Sequence, residues 1–154
     1  MQLGDILRAE GVKVLGATSS KKRLFQVLAE LAMACYGLAP AKVVEALIER
    51  ENLGPTGVGH GVALPHARLH QIDRMRGLFV RLEKPLDFEA VDRQPVDLVF
   101  ALFAPASAGV DHLKALALVS RTMRNPGICA KLRANNDPAT LYTILTESPA
   151  IQAA

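Results

Sequence analysis

PVDLVFALFAP, residues 95–105, is a nearly unbroken apolar run fenced by Pro95 and Pro105. Such a run reads as a strand covered on both faces, the central strand of an α/β sheet. Just upstream, RGLFVRLE (76–83) alternates as a strand with one buried face would. KPLDFEAVDRQP (84–95) reads as the polar connection between them. Farther out, both flanks turn helical. SSKKRLFQVLAELAMACYG (19–37) carries a stripe of Leu24, Val27, Leu28, Leu31 and Ala32, with Ser19 or Ser20 as cap and Gly37 as stop. APAKVVEALIERENLG (39–54) has Pro40 near its start and Gly54 after its end. Downstream, DHLKALALVSRTMRN (111–125) places Leu113, Leu116, Ala117 and Ser120 on one face, with Asp111 as cap. Asn125-Pro126-Gly127 breaks that helix. ICAKLRA (128–134) and DPATLYTILTES (137–148) follow as shorter helices, the last capped by Asp137 with Pro138 in its first turn. The order helices, strands, helices predicts a single α/β domain over residues 1–154 with a small mixed β-sheet.

Half of the 154 residues are hydrophobic, enough for one real core, while five Phe, two Tyr and no Trp leave Leu, Val, Ile and Ala to fill it. Formal net charge is +3, yet no long basic run occurs. The densest cluster, Ser19–Arg23, reads as a solvated helix end. A nucleic-acid binder would show a basic stripe interleaved with aromatics, so no nucleic-acid partner is expected. Cys35 and Cys129 lie far apart in apolar helical contexts and predict reduced, buried thiols. The N-terminal MQLGDILRAEGV lacks the apolar run of a signal peptide. No stretch approaches the ~20 apolar residues of a membrane span. These features predict a cytoplasmic protein.

TGVGHGVALPHARLH (56–70) stands apart, holding three of the four histidines and alternate glycines at 57, 59 and 61. A dinucleotide fingerprint would need a strand before the glycines and a helix opening at them; here a helix precedes and VALP looks extended. A Walker loop would need Gly-Lys-Ser/Thr, which is absent. His60, His66 and His70 resemble a ligand cluster, but Pro65 disfavours the helical turn that would align His66 with His70, and only Asp73 is near. No metal and no cofactor are expected. Serine hydrolase chemistry lacks its G-x-S-x-G elbow, and thiolates are disfavoured where the cysteines sit. Histidine as nucleophile toward phosphorus remains, since neutral imidazole offers one unprotonated nitrogen near pH 7. Such a site needs an acceptor on the other ring nitrogen, plus backbone donors and a cation for the phosphoryl oxygens. The glycines would let backbone approach, Arg50 or Arg68 would supply charge, and His112 at a helix start would face His66. Arg68 otherwise reads as a rim residue and His70 as an exposed loop residue.

These residues resemble the enzyme IIA domains of the fructose/mannitol class of the bacterial phosphotransferase system, nearest its nitrogen-regulatory branch. The motifs are SSKKRLFQVLAELA (19–32), ALIERENLGPTGVGHGVALPHARL (46–69) and PLDFEAVDRQPVDLVFALFAPASAGVDHLKALALVSR (85–121). The resemblance implies a mixed sheet flanked by helices on both sides. It implies that His66 is phosphorylated, that His112 lies beside it and contacts the phosphoryl group, that Arg50 lies near, and that Thr56 falls in the loop shaping the site. His60 stands where relatives often carry Asn. The implied donor is an HPr-like phosphocarrier charged from phosphoenolpyruvate by an enzyme I paralogue. Implied targets include potassium transport and sensor kinase systems. A chain ending after its last helix favours a regulator over a turnover enzyme. A sugar-transport enzyme IIA feeding a IIB domain, and a binding module without phosphorylation, are the competing readings.

Overall fold

The computed structural model describes residues 1–147. Its centre is β6 (Val96–Pro105), the proline-fenced run. On one side β6 pairs antiparallel with β5 (Arg76–Leu86), which pairs parallel with β1 (Leu7–Leu15) at the sheet edge. On its other side lie two short parallel strands in succession, β3 (Val62–Ala63) and β4 (His66–Leu69). β2 (Gly57–Gly59) closes the far edge against β3. The sheet is mixed, as expected.

Because β6 has neighbours on both edges and helices on both faces, alternate side chains feed two cores. Leu98, Phe100 and Leu102 join Val12 and Phe79 under α3 (Val110–Met123), α4 (Pro126–Arg133) and α5 (Pro138–Glu147). Val99, Ala101 and Phe103 join Leu78, Val80 and Leu82 under α1 (Lys21–Tyr36) and α2 (Pro40–Asn52). Ser20 caps α1 by accepting from the Arg23 N–H, Gly37 ends it at φ 72°, and Pro40 opens α2. Of the expected α1 stripe, Leu24, Leu28, Leu31 and Ala32 are buried and Val27 is half-buried. Asp137 accepts from the Thr140 hydroxyl at the start of α5. Ser148, and with it the end of the expected 1–154 span, lies outside the described residues.

Several expectations are corrected. A strand precedes the first helix: LRAEGVKVL (7–15) shows no strand alternation because a bulge between Leu7 and Val12 breaks its period and only Leu7, Gly11 and Val12 are buried. β5 is buried on both faces over Leu78–Val80, not one, since helices cover each side of the sheet. It also continues to Leu86, and the connection beyond it buries Phe88 and Ala90 rather than staying polar. α3 begins at Gly109 with no side-chain cap from Asp111. Its buried stripe is His112, Ala115, Leu118, Val119, Thr122 and Met123, while Leu113 and Ala117 face out. Cys129 is buried as expected, but Cys35, at the end of α1, is only half-buried.

Candidate functional site

The site forms where the chain beside β6 is interrupted. Between β3 and β4 lie Leu64 and Pro65, and there the chain turns its polar groups to new partners. The Leu64 N–H donates to the Thr56 carbonyl at 2.9 Å, and the Leu102 N–H donates to the Pro65 carbonyl at 2.9 Å. The Leu64 carbonyl meets Nδ1 of His66 at 2.8 Å. An oxygen can only accept, so Nδ1 carries the proton and Nε2 is left with its lone pair. Nε2 receives the Arg50 Nε–H at 3.2 Å, which enforces the same tautomer. Arg50 itself is anchored at the end of α2 by donating Nη1 to the Gly54 carbonyl at 2.9 Å. It is therefore both a helix-end cation and a site residue.

His66 is paired with Leu102 on β6, which sets its ring on the α3 side of the sheet. There it meets His112, ring centroids 5.9 Å apart and planes at 68°. His112 is only 8% exposed, and both of its ring nitrogens are buried with no hydrogen-bond partner among the described residues. A buried polar group without a partner costs roughly 1–3 kcal/mol. At the start of α3 the His112 N–H donates to the Gly109 carbonyl at 3.2 Å, and the N–H groups of Val110 and Asp111 precede any helical acceptor. Burial holds the His66 pKa below its ordinary 6.5, with Arg50 acting the same way and the Leu64 carbonyl and Glu51 opposing. Burial, then the neighbouring His66 and Arg68, likewise hold His112 below 6.5. Both imidazoles are neutral near pH 7. The arrangement offers one nucleophilic nitrogen, one cation and an unspent pair of imidazole nitrogens around a small space.

The chain matches, over residues 5–148, the family described as phosphoenolpyruvate-dependent sugar phosphotransferase system, EIIA 2. It belongs to this EIIA family. It is 45% identical over 153 residues to a nitrogen regulatory protein of Bradyrhizobium diazoefficiens, covering 99% of this chain and 100% of that one. It is 41% identical over 150 residues to the nitrogen regulatory protein of Escherichia coli K12, covering 96% of this chain and 91% of that one. The crystal structure of nitrogen regulatory protein IIA-Ntr from Neisseria meningitidis superposes with a TM-score of 0.85 at 36% identity, over 94% of this chain and 99% of that one. The mixed sheet with helices on both faces is thus the EIIA fold expected from the resemblance.

Within this EIIA framework the structure sorts the candidate residues. His66, His112 and Arg50 come together; Thr56 does not touch the histidines. It is 4% exposed and gives both its N–H and its hydroxyl to Glu51. His60 lies away at the β2–β3 turn with φ 57°, its N–H held by Asp92 and its carbonyl by Arg133. His70 and Arg68 are exposed, Arg68 close enough to act on His112. Gly57 packs against another segment: a Cβ on it would stand 2.8 Å from that of Ala90, so the residue makes room for the 87–93 connection. Lys21 is no solvated helix end either, since it pairs with Glu51 at 2.9 Å and lies over the Phe88 ring. Glu51 escaped sequence reading because a carboxylate in the last turn of an amphipathic helix looks like any solvent-facing residue. No helix among the described residues is long and apolar enough to cross a membrane.

Proposed function

We propose that this EIIA chain is a cytoplasmic histidine phosphoryl carrier of a nitrogen-regulatory phosphotransferase system, acting as a single domain over residues 1–154. His66 takes the phosphoryl group from an HPr-like phosphocarrier, and target proteins, such as potassium transport or sensor kinase systems, respond to whether it is present. The observation that carries this reading is the pairing of a tautomer-locked His66 with a buried, unpartnered His112. One ring is ready to attack; the other has hydrogen-bonding capacity that nothing among the described residues uses.

In the transfer, Nε2 of His66 attacks phosphorus while the donor's P–N bond breaks and its electron pair leaves with the donor imidazole. A donor protonated on its other ring nitrogen departs neutral, and the positive charge passes to the His66 ring. The Leu64 carbonyl on Nδ1–H stabilises that charge. Arg50 moves from the ring nitrogen to the phosphoryl oxygens. His112 and the N–H groups at the start of α3 supply further donors to the oxygens that Arg50 leaves unpaired.

The test is a phosphotransfer assay with phosphoenolpyruvate, enzyme I and HPr of the nitrogen-regulatory type, read by intact mass. A single acid-labile adduct, absent in His66→Ala and slowed in His112→Ala, is expected. An adduct that survives His66→Ala, or none with this donor set or the sugar-transport set, overturns the reading. Rapid passage of the group to a fructose- or mannitol-type IIB would instead mark a sugar-transport EIIA.

A further inference from the structure

We propose that Glu51 is a positioning residue for His66, gripping Thr56 so that the Thr56 and Leu64 carbonyls hold the His66 ring in its Nδ1–H tautomer. This deepens the carrier reading and rests on it. The links form one unbroken chain. Glu51 Oε1 accepts the Thr56 hydroxyl at 2.6 Å and Oε2 accepts the Thr56 N–H at 3.0 Å. The Thr56 carbonyl then accepts the Leu64 N–H at 2.9 Å, and the Leu64 carbonyl meets His66 Nδ1 at 2.8 Å.

Each link needs the one before it. A threonine held at two points by one carboxylate cannot rotate, so its carbonyl stays aimed at Leu64. The next peptide, Leu64–Pro65, has no N–H, so its carbonyl is its only polar handle. That carbonyl is the atom that tells the imidazole which nitrogen to protonate. The grip suits a carboxylate. Lys21 Nζ donates to Oε2 at 2.9 Å, so three donors converge on two oxygens. An amide would keep an oxygen for Lys21 and the Thr56 N–H and turn its NH₂ to the Thr56 hydroxyl, which can also accept, so only removal of the side chain releases Thr56. The Glu51 side chain is 8% exposed, which makes its loss costly. Arg50 lies beside Glu51 in sequence and biases the tautomer independently through Nε2, so loss of Glu51 weakens the lock without abolishing it.

The test compares Glu51→Ala, Thr56→Val and Thr56→Ser with the unaltered chain. ¹⁵N NMR of the unphosphorylated proteins reads the His66 tautomer, and intact mass reads the charging rate. Glu51→Ala should give a mixture of tautomers and charge about tenfold slower, the low end of what a hydrogen-bond partner behind a functional imidazole is worth. Thr56→Val should lie between, and Thr56→Ser, which keeps the hydroxyl, should restore the tautomer and rate. Folded Glu51→Ala with an unchanged tautomer and rate overturns the proposal. If that variant fails to fold, Thr56→Val, which leaves the Glu51–Lys21 pair in place, decides by the same criteria. If the unaltered chain accepts no phosphoryl group from either donor set, the carrier reading falls, while the tautomer comparison still decides the role of Glu51.

Discussion

His66 and His112 face each other across 5.9 Å, yet their surroundings are opposites. His66 has both nitrogens engaged, by the Leu64 carbonyl and by Arg50. His112 has neither engaged, though it is the more buried of the two. The first ring is held for a task by the interrupted strand beside β6. The second rides in on the inward stripe of α3, where a leucine or methionine would pack at less cost. On the carrier reading, a phosphoryl group on His66 would give His112 the partner it lacks among the described residues.

The contrast can be broken or sharpened by substitution. His66→Ala should abolish the adduct altogether, read by intact mass. Arg50→Gln should slow charging by ~100-fold, the scale of removing a preorganised donor to developing charge. His112→Leu should slow charging about tenfold yet stabilise the unphosphorylated protein, because the unpaired buried imidazole is gone. A gain of ~1 kcal/mol would raise Tm by roughly 2–4 °C in a chain of this size. A lower Tm would mean His112 already has a partner, and the contrast would collapse.

The pH dependence follows from the same burial. Both folded pKa values lie below 6.5, the ordinary value. Charging should hold through neutral pH and fall only on the acid side, as His66 Nε2 becomes protonated. Stability should run in parallel. Between the folded values and 6.5 the unfolded chain binds more protons at these two positions than the folded one, so stability rises with pH across that window and levels off above it. Urea titrations between pH 5 and 8 read this directly, and His66→Ala with His112→Leu should flatten the slope. The smallest effect on transfer is expected at the far end of the glycine-histidine stretch. Arg133→Ala removes the clasp on Asp97 and the His60 carbonyl and should cost ~1 kcal/mol in the same titrations, since the pair is partly solvated. Its charging rate should be unchanged.

That far end also shows what the sequence could convey. The stretch from Thr56 to His70 looked like one site, and it is two. His66 was legible because the proline before it excludes a helix and its motif is specific, and His112 because it opens a helix at the right distance. His60 and the glycines serve a hairpin turn clasped by Asp92, Asp97 and Arg133, residues from distant segments that no local spacing reveals. β6 was legible as a proline-bounded run of apolar residues. β1 was not, because a bulge and three charged residues hide its alternation. The face of α3 was misread for a chemical reason. Sequence reasoning turned Leu113 inward, but it is 66% exposed beside the site, while His112 takes the inward position. Glu51 was invisible because its importance lies in three donors arriving from Lys21 and Thr56, which only the folded chain brings together.

The most direct test is ¹⁵N and ³¹P NMR of the charged protein, asking which ring nitrogen bears phosphorus. The Leu64 carbonyl blocks Nδ1 of His66, so the phosphoryl group is expected on Nε2, with Nδ1 still protonated and the His112 resonances shifted by its new partner. Phosphorus on Nδ1, or on any residue other than His66, would contradict the account.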